Sequence, residues 1–312
     1  MRDSYLLFVR KYVGLPFKIA IFLMELSDAR RCICAGGRLI DLSVPVVMGI
    51  LNYTPDSFYD GGLYNDPSAL TKRVAAMISD GAGIIDVGGV STRPGAPGVT
   101  AEEEIRRLSE AIGAIRKEFP EILVSVDTWR SETAEIMVRD FGADMINDVS
   151  AGIMDRKMPE TAGKLKVPYV AMHMQGTPQT MQKNPVYDDV VNDLIKFFAE
   201  RIRILRQEGV GDIIIDPGFG FGKTLDHNYE IAARLSDFLI LDLPVMVGFS
   251  RKSMVSRVVG GGPGEALAGT VALNTFAVMN GASILRVHDV KEAKNAIAVA
   301  MCLKNSYNRS DL

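Results

Sequence analysis

Eight short apolar runs, each followed by a polar or ionisable side chain, constrain the fold of this chain more than any other feature. The residues that follow the runs are Asn52, Asp86, Asp127, Asn147, His173, Asp216, Ser250 and Arg286. The runs are rich in Val and Ile and almost free of polar residues, which is typical of parallel strands buried on both faces. Eight such strands predict a closed (β/α)8 TIM barrel, whose strands all end at one mouth. We therefore expect these polar residues to share one site.

Helical segments alternate with the apolar runs along the chain. Thr100 and Glu103 have the spacing of a capping box and predict the start of a helix, and Gly209 predicts the end of a long amphipathic helix that begins at Val190. No linker rich in Pro, Ser or charged residues divides the alternation. The sequence therefore predicts a single barrel domain over residues 32–312, with right-handed connections between its strands.

The first 31 residues differ from the rest and predict an atypical N-terminal extension, residues 1–31. Arg10, Lys11 and Lys18 interrupt its apolar stretch, so it lacks the length of a membrane span, and no small-residue cleavage site of a signal peptide follows. We expect a chain that starts at Met24 to stay soluble and active.

Residues 32–42 are the segment that leads into the first run. The pair Gly36 and Gly37 separates two partly apolar stretches, which is typical of a β-hairpin. We expect this N-terminal hairpin to close the bottom of the barrel.

Charge and cysteine content limit the classes of partner. The formal net charge of −3 favours neither nucleic acid nor an anionic membrane, so small-molecule substrates are the expected partners. Cys32, Cys34 and Cys302 are too few and too scattered to crosslink a chain of 312 residues, so we interpret them as reduced thiols of a cytoplasmic protein. Cys32 and Cys34 could form half of a metal site, but no nearby His or Cys completes it.

Two long loops follow the first two runs. Residues 48–62, MGILNYTPDSFYDGG, place an amide, carboxylates, hydroxyls and aromatic rings in a connection longer than a turn requires, which is typical of a functional loop. Turn chemistry alone could also explain its Asn, Asp and Ser residues. Residues 86–98, DVGGVSTRPGAPG, hold Arg93 in a backbone rich in Gly and Pro, and such an arginine suits an anionic ligand.

Two carboxylates and an amide follow three further runs, at Asp127, Asn147 and Asp216. Any one of these residues alone is more often a cap or turn residue. If they meet at one barrel mouth, they predict a pocket for a heterocycle with several N–H donors, because burying them without partners would be costly.

Residues 216–224, DPGFGFGKT, resemble the end of a phosphate-binding loop. Pro217 stands where such a loop needs its first glycine, so we reject a nucleoside-triphosphate site. The glycines are expected instead to let Phe219 and Phe221 approach a planar ligand. Met172, His173 and Met174 are interpreted as packing or pocket-wall residues.

The loops after the last two runs carry cationic groups. Lys252 follows the seventh run, and Arg286 and His288 follow the eighth. The loops after strands seven and eight form the phosphate site in many barrels of this class. These three residues therefore predict binding of a phosphorylated substrate, although a lone histidine is more often structural.

The motifs resemble those of the dihydropteroate synthase family and occur in the same order. They are MGILNYTPDSF, IDVGGVSTRPG, SVDT, INDVS, MHMQGTP, IDPGFGFGKT, GFSRKS and RVHD, and they cover residues 48–289. The resemblance implies a (β/α)8 barrel that joins 6-hydroxymethyl-7,8-dihydropterin diphosphate to 4-aminobenzoate, giving 7,8-dihydropteroate and pyrophosphate in folate biosynthesis. It also implies Mg2+ as cofactor and a homodimer formed through outer helices.

The resemblance implies a role for individual residues at each part of the site. The pterin would be held by Asp127, Asn147, Met172, Asp216, Phe221 and Lys252. The diphosphate would be held by Asn52, Arg286 and His288, with Asn52 also reaching the metal ion. The aminobenzoate would be covered by Phe58, Thr92, Arg93, Pro94, Ser250 and Ser253. Catalysis would depend on Asp127, Lys252 and Asp60, with the Asp127 carboxylate stabilising a cation that develops on the pterin.

Two positions depart from the family pattern. Val90 stands where the family has Glu, and Tyr59 where it commonly has Ser, so closure of the mobile loops could differ.

Two other functions are alternatives to dihydropteroate synthesis. A folate-dependent corrinoid methyltransferase would not need the STRPG and FSRKS loops. A non-catalytic pterin-binding paralogue would be expected to have lost Asp127, Lys252 or Arg286, and all three are present.

Overall fold

A computed structural model describes residues 32–54, 67–90, 98–176, 185–262 and 264–310. Within these ranges, eight parallel strands close into a barrel. The barrel strands are β3 (Val46–Asn52), β4 (Ile84–Gly88), β5 (Leu123–Asp127), β6 (Met145–Asp148), β7 (Tyr169–Met172), β8 (Ile213–Asp216), β9 (Val245–Val247) and β10 (Ala282–Val287). Strand β10 pairs with both β3 and β9, which closes the ring. The predicted (β/α)8 barrel is confirmed.

Helices follow the strands and cover the outside of the barrel. They are α1 (Pro67–Ser79), α2 (Ala101–Glu118), α3 (Ser131–Arg139), α4 (Met158–Leu165), α5 (Val190–Gln207), α6 (Leu225–Ala233), a 3-10 helix (Leu235–Leu241), α7 (Ser253–Val259), α8 (Leu267–Met279) and α9 (Val290–Ser310). Thr100 caps α2 by accepting a hydrogen bond from the Glu103 amide. The Glu103 carboxylate binds Arg106 and Arg107 rather than reaching back to complete the predicted capping box.

The N-terminal hairpin closes the amino end of the barrel, as predicted. It consists of the antiparallel strands β1 (Cys32–Ala35) and β2 (Arg38–Asp41). The hairpin segment buries Ile33, Ala35 and Leu42 against a layer to which each barrel strand contributes one side chain. That layer is Met48, Ile84, Leu123, Met145, Val170, Ile214, Met246 and Ile284. The bottom of the barrel is therefore a packed apolar core, which leaves the polar side chains to the opposite end.

Three of the expected strand-end residues lie inside their strands, and one of them is Asn147, the third residue of β6. Asp86 is the third residue of β4, in register with Ile50 and Ser125, and Arg286 is the fifth residue of β10. Strand β9 is shorter than the apolar run that predicted it. The polar residues can stay inside the strands because, as described below, they pair with each other across the lumen.

The predicted N-terminal extension, residues 1–31, lies outside the described residues. In the part of the chain that is described, no helix combines the length and the apolar character needed to cross a membrane. All three cysteines are free thiols.

Candidate active site

Four side chains from four strands form one hydrogen-bonded network across the barrel lumen. Arg286 donates from Nε to Asp86 Oδ2 over 2.6 Å and from Nη2 to Asp127 Oδ2 over 2.7 Å. Asn147 Nδ2 donates to the same Asp86 oxygen over 3.0 Å. Residues 86, 127, 147 and 286 therefore meet at one place, as the convergence of strand ends predicts.

Burial and charge act in opposite directions on this network. Burial raises the pKa of Asp127 to about 7, although the charge of Arg286 acts to lower it. Burial also opposes the charge on Arg286, but the carboxylates of Asp86 and Asp127 outweigh that effect and raise its pKa above the ordinary value. Arg286 is thus a firmly protonated cation, and Asp127 is a carboxyl whose pKa burial raises while the charge of Arg286 opposes the rise.

A second group lies on the side of the lumen formed by β8 and β9. Asp216 ends β8 and accepts a hydrogen bond from Gly218 N over 2.7 Å. Lys252 Nζ donates to Phe219 O over 2.5 Å and stands 5.0 Å from the centre of the Phe221 ring. Burial lowers the pKa of Lys252 to about 8, while the charge of Asp216 acts to raise it. Burial raises the pKa of Asp216, and the charge of Lys252 opposes that rise.

Apolar side chains form a wall next to these polar groups. Val149, Met172 and Met174 are buried together, with Trp129 and Phe221 packed against them. An apolar wall beside carboxylates and an ammonium group is suited to a polar aromatic ring.

The loops after β9 and β10 are tied together at the predicted phosphate end. His288 N donates to Ser250 Oγ over 3.1 Å, and Arg251 pairs with Asp289 at 2.6 Å. Burial lowers the pKa of His288 to about 4, and the charge of Arg286 lowers it further. His288 is therefore neutral at pH 7 and offers hydrogen bonds rather than a positive charge.

Comparison with known proteins identifies the family. The family model described as pterin binding enzyme matches residues 48–288. The dihydropteroate synthase of Escherichia coli (strain K12) is 46% identical over 267 residues, which cover 85% of this chain and 94% of the relative. The dihydropteroate synthase of Synechocystis sp. is 40% identical over 260 residues, covering 82% and 89%.

The chain belongs to the dihydropteroate synthase family. A crystal structure of the Yersinia pestis dihydropteroate synthase with a sulfonamide drug complex superposes with a TM-score of 0.83 at 41% identity, covering 88% of this chain and 99% of that one. The family resemblance inferred from the motifs is confirmed, and with it a place among the transferases of folate synthesis.

The structure locates most, but not all, of the residues to which the family resemblance gives a role. Asn52 is exposed at the end of β3, Ser250 is buried and Ser253 is exposed at the start of α7. The remaining residues with expected roles lie outside the described residues; they are Phe58, Asp60, Thr92, Arg93 and Pro94. The divergent Tyr59 also lies outside them. Val90 is half-buried after β4.

Oxygen ligands suitable for a hard cation stand on both sides of Gly88. A Cβ built on Gly88 would lie 3.5 Å from Asn52 Oδ1 and 3.6 Å from Asp127 Oδ2. Among the described residues, no three His, Cys, Asp or Glu side chains cluster to form a metal cage. This donor set fits Mg2+, which binds through one or two protein oxygens and substrate phosphates rather than through a dedicated cage.

The structure gives Asp86 a part that the sequence does not predict, and it places Phe219 elsewhere than predicted. In the sequence Asp86 is one of the residues that follow an apolar run, whereas in the structure it is the carboxylate that holds Arg286 and Asn147 together. Phe219 is fully buried and packs against Phe249 at a ring distance of 4.4 Å, within the core outside the lumen. The expectation that Phe219 approaches a planar ligand is therefore wrong, whereas Phe221 does reach the pocket wall.

Proposed function

We propose that the protein condenses 6-hydroxymethyl-7,8-dihydropterin diphosphate with 4-aminobenzoate to give 7,8-dihydropteroate and pyrophosphate. The observation that carries this proposal is the meeting of Asp127, Asn147 and Arg286 in one lumen that also holds Asp216 and Lys252. A relative from Xanthomonas albilineans, 37% identical with a TM-score of 0.81, was solved with 4-aminobenzoic acid.

The pterin ring would lie between the two polar groups and the apolar wall. Asp127, Asn147 and Asp216 supply acceptors for ring N–H groups, and the Lys252 ammonium supplies donors for ring acceptors. Met172 and Phe221 would pack on the ring face. This assignment accounts for why such polar groups are buried at all, since buried carboxylates without a partner are costly.

The reaction exchanges one bond at the pterin methylene carbon. The carbon–oxygen bond to the diphosphate breaks, and its electron pair leaves with pyrophosphate. The aromatic amine nitrogen then bonds to the same carbon and loses one proton. As the carbon–oxygen bond breaks, positive charge spreads onto the pterin, and a fixed carboxylate at Asp127 would stabilise it in a site poor in water. Asp60 is proposed to assist catalysis from the loop after β3.

The diphosphate would lie toward β10 and β3. Arg286 and the neutral His288 would donate hydrogen bonds to its oxygens, and Asn52 would hold Mg2+ beside it. When bound, Mg2+ supplies positive charge that stabilises the departing pyrophosphate. Arg286 can turn from its carboxylates toward the diphosphate only if the incoming charge compensates for the ion pairs it leaves.

The aminobenzoate is proposed to bind nearer the solvent. The residues that would cover it are Phe58, Thr92, Arg93, Pro94, Ser250 and Ser253. Loops that place the amine against the methylene carbon would supply catalysis by positioning, so no covalent intermediate with the protein is needed.

A homodimer and a cytoplasmic location are also proposed. Helices α8 and α9 pack together and expose Phe276, Val299 and Leu303, which supports self-association through this face. The exposed free thiols of Cys34 and Cys302 support a reducing compartment.

A product assay tests the proposed reaction. Purified protein, both substrates and Mg2+ should yield dihydropteroate and pyrophosphate in equal amounts, and omission of Mg2+ should reduce the yield. Asp127→Asn should reduce turnover on the order of a hundredfold. Pterin diphosphate binding without any product would support the binding-only paralogue instead, and methyl transfer from a methylated folate to a corrinoid would support the methyltransferase.

A further inference from the structure

Lys223 lies in the DPGFGFGKT motif, and the proposed reaction gives it no role, unlike Asp216 and Phe221 of the same motif. It lies in the turn after β8 and is 4% exposed. Its ammonium donates to Gly218 O over 2.9 Å and to Phe221 O over 3.0 Å, and it contacts His173 Nδ1 at 3.0 Å and His173 O at 3.4 Å. An ammonium group has three N–H donors, so these contacts satisfy it completely. Lys223 therefore faces its own turn and the end of β7, not a phosphate.

The turn that Lys223 holds is hydrogen-bonded to Asp216, at the end of β8, and to Lys252, just before α7. Gly218, whose carbonyl binds Lys223, donates its own N–H to Asp216 Oδ1. The next carbonyl, Phe219 O, is the acceptor for Lys252. One turn thus links Lys223 to the carboxylate and to the ammonium of the proposed pterin site.

The turn cannot hold this shape through strand pairing. Gly218, Gly220 and Gly222 all have positive φ, a conformation that side chains other than that of glycine rarely adopt. A Cβ on Gly218 would lie 2.0 Å from His173 O, so the turn presses directly on the end of β7. Within the turn, Phe221 N donates to Gly218 O over 3.1 Å, and Lys223 adds a donor to Gly218 O and supplies one to Phe221 O.

His173 completes the clamp as an acceptor. Burial lowers the pKa of His173 to about 2, and the charge of Lys223 lowers it further, so the ring is neutral and its Nδ1 can accept. Burial also lowers the pKa of Lys223 to about 7, with the charge of Asp216 opposing. Phe197 lies edge-on to the His173 ring at 4.7 Å and fixes its orientation.

We propose that Lys223 is a positioning residue of the pterin site, whose ammonium fixes the turn at residues 217–222 so that Asp216 and Lys252 face the substrate. The inference rests on the proposed function and adds a residue to that site. It predicts a selective loss: pterin binding depends on Lys223, whereas aminobenzoate use at saturating pterin does not.

The test compares Lys223→Met with a matched control. Lys223→Met keeps the side-chain volume but removes all three donors, and it should weaken pterin diphosphate binding about tenfold to a hundredfold in calorimetry. The KM for aminobenzoate at saturating pterin diphosphate should stay within about twofold of wild type. Arg116→Met is the control, because Arg116 also binds carbonyls, Gly142 O and Ile122 O, but near the hairpin end of the barrel.

Both variants are expected to melt at lower temperature, but only Lys223→Met should lose pterin affinity. Equal loss of affinity in both variants would overturn the inference, since it would show a general effect of lower stability. Unchanged affinity in Lys223→Met would overturn it as well. A wild-type protein that binds no pterin diphosphate would overturn the proposed function and this inference with it.

A second pair of variants tests the positioning role of Lys223 if Lys223→Met does not fold. His173→Asn keeps an acceptor close to the position of Nδ1, whereas His173→Leu removes it. The inference expects His173→Asn to bind pterin diphosphate more tightly than His173→Leu, by about tenfold. Equal affinities would show that the clamp does not position the site.

Discussion

Arg286 Nε lies 2.6 Å from Asp86 Oδ2, although the two residues are 200 positions apart in the chain. The arginine expected to bind the substrate diphosphate is therefore held by a fully buried carboxylate. Within the described part of the chain, the other oxygen, Asp86 Oδ1, has no hydrogen-bond partner. Charge on the substrate would thus enter a site whose cation is already paired.

Removing Arg286 should affect both stability and the diphosphate. Arg286→Ala leaves the carboxylates of Asp86 and Asp127 without a counter-charge and should lower the free energy of unfolding by about 3–5 kcal/mol. It should also weaken binding of the pterin diphosphate more than binding of aminobenzoate. Chemical denaturation and calorimetry with each substrate measure the two effects. Equal losses of affinity for both substrates would contradict the diphosphate assignment.

Replacing Asp86 should impair the reaction although this residue is expected to orient others rather than touch the substrate. Asp86→Asn keeps the shape but removes the charge that holds Arg286, and kcat/KM should fall about tenfold or more. Asp148→Asn is the control. Asp148 is equally buried, but it binds Tyr169, Ser150 and Gly152. The control should be less stable than wild type but keep its kcat. An Asp86→Asn enzyme with unchanged kcat/KM would show that Asp86 does not contribute to the site.

Activity should decline as the pH rises past about 8. The pKa of Lys252 is lowered to about 8 by burial, so its ammonium loses the proton above that pH and can no longer donate fully to the pterin. The measurement is kcat/KM for pterin diphosphate between pH 6 and about 10. Lys252→Arg stays protonated over this range, so its profile should lack the alkaline decline. The same decline in both enzymes would assign it to another group.

Acid should destabilise the fold through His173. Its folded-state pKa of about 2 lies below the unfolded value of 6.5, so the unfolded chain binds more protons between these values. Stability is therefore present above pH 6.5 and is lost as the pH falls below it, at about 1 kcal/mol per pH unit. Denaturation of wild type and His173→Asn at pH 7.5 and about 5 isolates this contribution. If acid lowers the stability of both proteins equally, the loss comes from a group other than His173.

A buried ion pair that involves α2 should contribute more to the stability of the fold than an exposed ion pair on the same helix. Glu104 is fully buried and binds Arg130 and Thr128. Arg130→Met leaves that carboxylate uncompensated and should cost about 3–5 kcal/mol of stability. Arg106, which pairs with Glu103 and Glu110 on the solvent side of the same helix, is the control; Arg106→Met should change stability much less, because water screens exposed ion pairs. Urea denaturation of both variants compares them directly.

The architecture and the place of the site can be predicted from the order of residues. Apolar runs without alternation predict strands buried on both faces, and the polar residue after each run marks the end at which the strands converge. The hairpin at residues 32–42 followed from two glycines between apolar stretches, and it closes the barrel as expected. These features are local in the chain, so the order of residues alone carries them.

The pairing of the polar groups and the direction of some side chains depend on contacts between distant parts of the chain. Closure of the barrel brings Arg286 against Asp86, and no local pattern records a contact between strands so far apart in sequence. In the turn after β8, Gly218, Gly220 and Gly222 have positive φ, so successive side chains of the turn point in different directions. Phe219 therefore enters the outer core, Phe221 reaches the pocket and Lys223 turns inward. The physical reason is that side-chain direction in such a turn depends on backbone angles fixed by packing against β7, not on spacing along the sequence.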